Sequence, residues 1–217
     1  CIRDSVKGSN ADIVKQIQEA ICEDTILISC MHVNNEMGMV FPIYEIGQLL
    51  KKYPKVKFHV DAVQSVGKIP VDIDKMNIDL LSLSAHKFHG LKGCGALVMN
   101  QYLKLVPEIT GGHQMYGLRS GTINVAGAVA LAKALRLAIE PLNANYNHVK
   151  SLYDYTVKEL KAMDGVTVND CYPELTPYII NFAVENIKGE TLVHALEEHD
   201  VYISALSLIH ISEPTRP

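Results

Sequence analysis

The stretch SLSAHKFHG, residues 82–90, and the stretch HVDAVQS, residues 59–65, each place polar residues at the end of a short apolar run. Short apolar runs of this kind are typical of buried strands. Asp61 ends the apolar run of the stretch 59–65, and Lys87 follows the apolar run of the stretch 82–90. In open α/β sheets, ligands bind outside the carboxyl ends of the strands. We therefore expect an α/β fold with a binding site at these two strand ends.

Strand and helix patterns alternate along the whole chain, which is typical of α/β architecture. The pattern predicts strands at 25–31, 57–60, 78–84, 95–99, near 166, 178–184 and 201–204, and helices at 12–22, 42–53, 124–140, 149–163 and 190–199. Pro141 predicts a bend between the two long helices, because proline disrupts a helix interior. We place a domain boundary near residues 138–145, with a larger domain over 1–138 and a smaller one over 139–204.

Composition excludes several classes of protein. The chain has 217 residues, is 48% hydrophobic and carries a net charge of −4, so it can bury a core but lacks the basic excess of a nucleic-acid binder. No apolar run approaches the ~20 residues needed to span a membrane, and no secretory signal is visible. The five cysteines are scattered without a CxxC pair, which favours reduced thiols in a cytoplasmic protein over disulfides or zinc.

The residues at the two strand ends have the chemistry that pyridoxal 5′-phosphate (PLP) requires. PLP needs a lysine for covalent attachment and an acid that keeps its pyridine nitrogen protonated, and Lys87 and Asp61 provide these groups. Gln64 adds an amide, and Ser84 and His86 offer donors to a phosphate. Considered alone, Asp61 would be interpreted as a turn residue or a helix cap, and Gln64 as a surface residue.

Two further segments are candidates for the same site. Asn35 follows the strand at 25–31, so it is expected near the strand end that carries Asp61, although adjacent amides are more often turn formers. The run RSGT, residues 119–122, precedes the helix predicted from Asn124, and a helix N-terminus can bind phosphate. An ordinary capped helix is the alternative. No cluster of cysteine and histidine has zinc spacing, so we predict no metal site.

Four runs together resemble one family in order and spacing. They are MHVNNEMG at 31–38, HVDAVQSVGK at 59–68, SAHKFHG at 84–90 and RSGT at 119–122. They are similar to the cysteine desulfurases of the nitrogen-fixation and iron–sulfur-cluster assembly type, which are class V aminotransferases of fold type I. The resemblance covers roughly residues 1–204. It implies a partial PLP-binding large domain with three layers over 1–138 and a partial α+β small domain over 139–204.

The resemblance also implies a role for each matching residue. Lys87 corresponds to the lysine that binds PLP covalently, Asp61 to the partner of the pyridine nitrogen, and Gln64 to the amide that hydrogen-bonds the ring phenolate. Ser84 and His86 correspond to phosphate donors. A separate match places Asn35 near the phenolate and the substrate carboxylate. Thr122 corresponds to a residue that reaches the phosphate of the neighbouring subunit's cofactor, which implies a homodimer.

The reaction implied by the resemblance converts L-cysteine to L-alanine. A cysteine thiolate of the enzyme takes the sulfur as a persulfide and passes it to an iron–sulfur scaffold protein or another acceptor. Other class V enzymes, such as a selenocysteine lyase or a small-substrate aminotransferase, remain alternatives, as does a non-catalytic derivative of the fold. Retention of Lys87, Asp61, Gln64 and His86 together argues against the last of these.

The chain departs from this family at both ends. The nucleophilic cysteine of the family follows the strand that corresponds to 201–204, yet no cysteine follows Cys171. We expect residues 205–217 to be a non-native tail, such as translated adapter sequence, and the chain to be truncated at both ends. The fragment is therefore expected to lack desulfurase activity, although its parent has it. Leu91 and Ala85 are smaller departures that remove no chemical group.

Overall fold

The computed structural model describes residues 8–205, and within this range the chain forms five α-helices and six β-strands. In chain order these are α1 (Asn10–Ala20), β1 (Leu27–Met31), α2 (Ile43–Leu50), β2 (Lys57–Asp61), β3 (Leu80–Ser84), β4 (Gly95–Met99), α3 (Val125–Ile139), α4 (Leu142–Lys161), β5 (Val166–Val168), β6 (Phe182–Val184) and α5 (Gly189–Glu197).

Strands β1 to β4 form one sheet in that order, and β5 pairs with β6 in a second, two-stranded sheet. The first three strands run parallel, and β4 runs antiparallel to β3. Met31 lies opposite Asp61, and Asp61 lies opposite Ser82. The carboxyl ends of β1, β2 and β3 therefore meet at one edge of the sheet, and the predicted α/β fold is confirmed.

The core lies between one face of the sheet and α2. Because side chains alternate along a strand, the apolar residues of β2 and β3 share this face. Three residues of α2 at helical spacing pack into the same cluster. The buried members of this contact are Ile43, Ile46 and Leu50 of α2 with Phe58, Val60, Leu81 and Leu83 of the sheet. The core thus fixes the strands whose ends carry Asp61 and Ser84.

Gly47 lets α2 approach the segment before β3 closely. A Cβ at this position would lie 1.8 Å from the backbone oxygen of Met76, so no other residue fits without a backbone shift. Asn77 reinforces the contact, since its side-chain amide donates to the carbonyl of Gly47 at 3.1 Å. The glycine therefore sets the distance between the helix and the sheet.

Substitution Gly47→Ala is expected to destabilise the protein by about 3 kcal/mol, the upper end of typical overpacking costs, because the clashing atom belongs to the backbone. In an exposed helix interior, glycine to alanine stabilises the folded protein by about 1 kcal/mol. The sign of the change in the free energy of unfolding therefore shows whether the close approach exists. Urea denaturation measures the free energy of unfolding, with the exposed α2 substitution Glu45→Ala as the control. A Gly47→Ala protein as stable as the parent would contradict the close approach.

The region after α3 packs onto the loop that follows β1. Met39 forms an isolated antiparallel bridge with Leu175, and the N–H of Thr176 donates to the carbonyl of Gly38 at 2.8 Å. Thr176 is 1% exposed, so this contact is buried. Helical structure is interrupted between α3 and α4 at Glu140 and Pro141, within the range predicted for a domain boundary. The division into two domains stays a prediction.

Three element predictions differ from the structure. The predicted strand at 201–204 is wrong, because no ladder pairs with it within residues 8–205. The strand predicted at 178–184 is confined to its last three residues, β6. Helix α4 begins at Leu142 rather than Val149, since Pro141 occupies the N-cap, where a missing N–H costs nothing. The predicted tail falls, after Ala205, outside the described residues.

Candidate functional site

Asp61 stands at the sheet edge where three parallel strands end. Its Oδ1 accepts a hydrogen bond from the N–H of Val63 at 3.0 Å, which fixes the carboxylate in the turn after β2. Its backbone carbonyl accepts from the N–H of His32 at 2.9 Å, which ties the ends of β1 and β2 together. No described residue hydrogen-bonds to Oδ2. The half-buried carboxylate can therefore accept a further donor.

Lys87 and His86 lie on a single 3₁₀ turn, Ala85–Phe88, directly after β3. Ala85 and Phe88 are buried and anchor the turn, and the N–H of Ala85 donates to the carbonyl of Cys94 at 2.9 Å. Because its two ends are held in the core, the turn presents its middle residues outward. Lys87 is half-buried and lines a cavity of about 370 Å³, hereafter the Lys87 cavity.

Ser84 and His86 form a hydrogen-bonded pair beside Lys87. The Ser84 hydroxyl lies 3.0 Å from Nδ1 of His86, and His86 is exposed. Because one hydrogen is used between the two groups, the neutral pair keeps one donor, an O–H or an N–H, that suits a phosphate group. The structure thus brings these two predicted residues together, next to the lysine that the sequence places with them.

Gln64 is linked to the Lys87 cavity through a lysine that sequence reasoning missed. Lys68 Nζ donates to Gln64 Oε1 at 2.9 Å, and Lys68 lines the Lys87 cavity together with Lys87. Burial lowers the pKa of Lys68, and the positive charge of Lys87 lowers it further. The spacing of Gln64 and Lys68, four residues apart in one turn, was the available signal.

Asn35 and Thr122 do not line the Lys87 cavity. Asn35 is exposed and lines a second cavity of about 670 Å³, next to Tyr178 and Asn181. Its neighbour Asn34 forms the turn, because Asn34 Oδ1 accepts from the N–H groups of Glu36 and Met37 at 2.9 and 2.8 Å. Thr122 is exposed, and its side chain makes no hydrogen bond to the described part of the chain. Their predicted roles stay predictions.

One of the free N–H groups at the N-terminus of α3, after Thr122, already has a hydrogen-bond partner within the protein. Asn124 caps α3, and its side-chain oxygen accepts from the N–H of Gly127 at 2.9 Å. One donor that a phosphate could use is thus already engaged. Asn124 caps the helix as an ordinary N-cap residue does, which is the alternative that the sequence left open.

A histidine of β2 links the three parallel strands on the face of the sheet that carries Asp61. His59 Nδ1 lies 2.7 Å from the hydroxyl of Ser29 on β1, and Nε2 lies 2.8 Å from that of Ser82 on β3. Burial lowers the pKa of His59, and the nearby charge of Asp61 opposes this shift. Sequence reasoning missed this bridge, although His59 precedes Asp61 by two residues and so shares its face.

His32 is the buried polar residue at the end of β1. It is 4% exposed, and its Nδ1 has no hydrogen-bond partner among the described residues. Burial lowers the pKa of His32 to about 4 from the ordinary value of 6.5. The neutral ring is therefore the form that the folded chain favours.

This burial predicts a loss of stability in mild acid. Between pH 6.5 and about 4 the unfolded chain binds a proton at His32 that the folded chain does not, so stability falls as the pH falls through this window. The loss between pH 7 and pH 5 is expected to be about 2 kcal/mol. Urea denaturation at both pH values should show a smaller loss for His32→Gln than for the parent, with His148→Gln as an exposed control. Equal losses in all three proteins would contradict the assignment.

The donor set at this edge fits PLP. A carboxylate with a free oxygen suits a protonated ring nitrogen, an amide suits the ring oxygen, and a hydroxyl–imidazole pair suits a phosphate. A half-buried lysine at the cavity wall completes the set. No group of three or more histidine, cysteine, aspartate or glutamate side chains that could hold a metal occurs in the described ranges. None of the helices between residues 8 and 205 has the length and hydropathy to cross a bilayer.

Comparison with known proteins gives a consistent result. A family model described as aminotransferase class-V matches residues 5–209. A protein of Dictyoglomus turgidum named "Cysteine desulfurase IscS" is 42% identical over 189 residues, which cover 87% of this chain and 48% of that protein. The chain thus spans about half the length of the curated relatives it matches.

Solved structures show the same similarity. A structure described as a NifS-like protein superposes with a TM-score of 0.84 at 36% identity, covering 88% of this chain and 52% of that one. A structure described as SspA in complex with cysteine gives a TM-score of 0.71 at 32% identity, covering 91% and 54%. The architecture of residues 8–205 is therefore one that these proteins share.

Proposed function

Because the chain belongs to the class-V aminotransferase family, we propose that it forms the PLP-binding part of a cysteine desulfurase, which converts L-cysteine to L-alanine and transfers the sulfur. The observation that carries this proposal is that Asp61 and Ser84 end neighbouring parallel strands, with Gln64 on the turn after Asp61 and with His86 and Lys87 on the turn after Ser84. Relatives named cysteine desulfurase support the choice of reaction within the family.

When bound, PLP supplies a protonated pyridine ring that accepts electrons from the substrate's α-carbon. Asp61 holds the proton on the ring nitrogen, using the oxygen that Val63 leaves free. Ser84 and His86 bind the phosphate, and Gln64 donates to the ring oxygen. Lys87 Nζ would hold the cofactor covalently and would move the proton at the substrate's Cα.

The sulfur-accepting thiolate is not found among the described cysteines. None of Cys22, Cys30, Cys94 and Cys171 lines the Lys87 cavity. Burial raises the pKa of Cys30 to about 11, which keeps that thiol protonated and unreactive. We infer that the 217-residue chain alone does not complete sulfur transfer, and that the persulfide forms on a cysteine other than these four.

The partners follow from this reaction. L-cysteine is the substrate, and a sulfur-acceptor or iron–sulfur scaffold protein takes the product sulfur. The exposed Thr122 is free to meet a second subunit, so we propose a homodimer with shared sites. The four described cysteines are free thiols, which suits the reducing cytoplasm.

The proposed function is tested by two linked measurements. First, the 217-residue chain is loaded with PLP and given L-cysteine with a thiol reductant, which releases persulfide sulfur as sulfide, and alanine and sulfide are quantified; PLP binding without product release is expected. Second, the natural gene is sequenced through the codons of Ser204 and Ala205, and the protein from that frame is assayed. A cysteine-containing loop and release of alanine with sulfide support a desulfurase. A frame without that cysteine, or a protein that binds no PLP, would overturn the proposal.

A further inference from the structure

Lys68 is held between two side chains beside the candidate site. Its Nζ lies 2.9 Å from Gln64 Oε1 and 5.8 Å from the centre of the Tyr178 ring. Tyr178 in turn packs against Tyr146 of α4, with ring centres 6.4 Å apart. An ammonium over an aromatic face is attracted by the ring's electron density. Lys68 is thus restrained on two sides, by the turn after β2 and by the region after α3.

The chemistry of this contact decides which way the Gln64 amide faces. A lysine ammonium has three donors and no acceptor, so it can meet only the oxygen of the amide. With Oε1 engaged by Lys68, the NH₂ group of Gln64 is the end left for a ligand. The free glutamine could turn either end toward the site, whereas the paired glutamine presents donors only.

We propose that Lys68 is a positioning residue that fixes the Gln64 amide as a hydrogen-bond donor, and that it thereby makes the site select a ligand with an anionic ring oxygen. This proposal rests on the proposed function, in which that oxygen is the 3-oxygen of PLP. The role belongs to the pair, because Lys68 acts through Gln64 rather than on the ligand.

The first test compares dissociation constants for PLP and for PLP that lacks its 3-hydroxyl group, measured by absorbance titration of the full chain. Lys68→Met is expected to weaken PLP binding about tenfold, the effect of losing one hydrogen bond to a charged group. The same variant should change binding of the deoxy compound by less than about twofold, within the error of such a comparison. Lys68→Arg, which keeps a donor-only cation, should restore most of the PLP affinity.

A double-mutant cycle separates positioning from a general effect of charge. In the Gln64→Ala background, Lys68→Met should cause no further loss of PLP affinity, because the group through which Lys68 acts is gone. Lys133→Met is the matched control, since Lys133 lines the same cavity and makes no hydrogen bond to Gln64. An equal effect of Lys68→Met in both backgrounds, or on both ligands, would overturn the proposal. So would no effect at all.

If the chain binds no PLP, that result contradicts the proposed function but does not test the role of Lys68. The role of Lys68 can still be tested without the cofactor. In that case the Gln64 side-chain amide is observed by ¹⁵N NMR in the cofactor-free protein. Its two hydrogens should shift in Lys68→Met and stay in place in Lys133→Met. Unchanged Gln64 resonances in Lys68→Met would overturn the assignment without reference to any ligand. The dispersion of the remaining backbone resonances reports whether each variant is folded.

Discussion

Replacing Lys87 by methionine should abolish the retention of PLP after gel filtration, a loss of at least about a hundredfold in apparent affinity. Methionine has similar length and no nucleophilic amine, so it removes the covalent bond and little volume. Lys87 has this importance because buried Ala85 and Phe88 anchor the 3₁₀ turn directly after β3, which holds Lys87 near the carboxyl end of that strand. The measurement is the PLP absorbance that remains with the protein.

The matched control is Lys133→Met, which changes a second lysine of the Lys87 cavity. Lys133 lies on α3 and is exposed, so its loss should leave PLP retention near that of the parent. Equal losses in both variants would mean that any lysine of the cavity serves. That result would contradict the special role of Lys87.

Asp61→Asn should weaken PLP binding by about thirtyfold or more, which corresponds to at least about 2 kcal/mol. Asparagine preserves the shape and can still accept from the N–H of Val63, so the turn after β2 should survive. The negative charge that stabilises a protonated ring nitrogen is lost. The dissociation constant for PLP, measured by absorbance titration, reports the effect.

Asp74→Asn is the control for Asp61→Asn, because Asp74 is exposed in the segment between β2 and β3. It removes the same charge from the chain without changing the sheet edge. Thermal unfolding of both variants without cofactor shows whether either substitution damages the fold. If Asp74→Asn weakens PLP binding as much as Asp61→Asn does, the effect comes from net charge and the proposed contact is wrong.

The sheet edge was predictable because local patterns determine it. Short apolar runs around Phe58 and Leu81 predict strands, and their polar ends, Asp61 and Ser84, locate the edge. Parallel pairing then brings these ends together without any long-range knowledge. The helix start at Asn124 was equally local, since it depends on one capping side chain.

Other features depend on contacts between distant parts of the chain. The Lys68 ammonium lies over the ring of Tyr178, and no local sequence pattern connects those two residues. Asn35 lies beside Tyr178 and Asn181 in the second cavity, and no local pattern connects it with those residues. The predicted strand at 201–204 failed for the same reason, because a strand needs a partner and its own residues do not determine one.

The central claim is that the carboxyl edge of the sheet binds PLP through Lys87. It is tested most directly by treating the chain with PLP, reducing it with borohydride and mapping the modified peptide by mass spectrometry. We expect the added mass on the peptide that contains Lys87, at a ratio near one per chain. Added mass spread over exposed lysines such as Lys133 and Lys158, or none on the Lys87 peptide, would contradict the account.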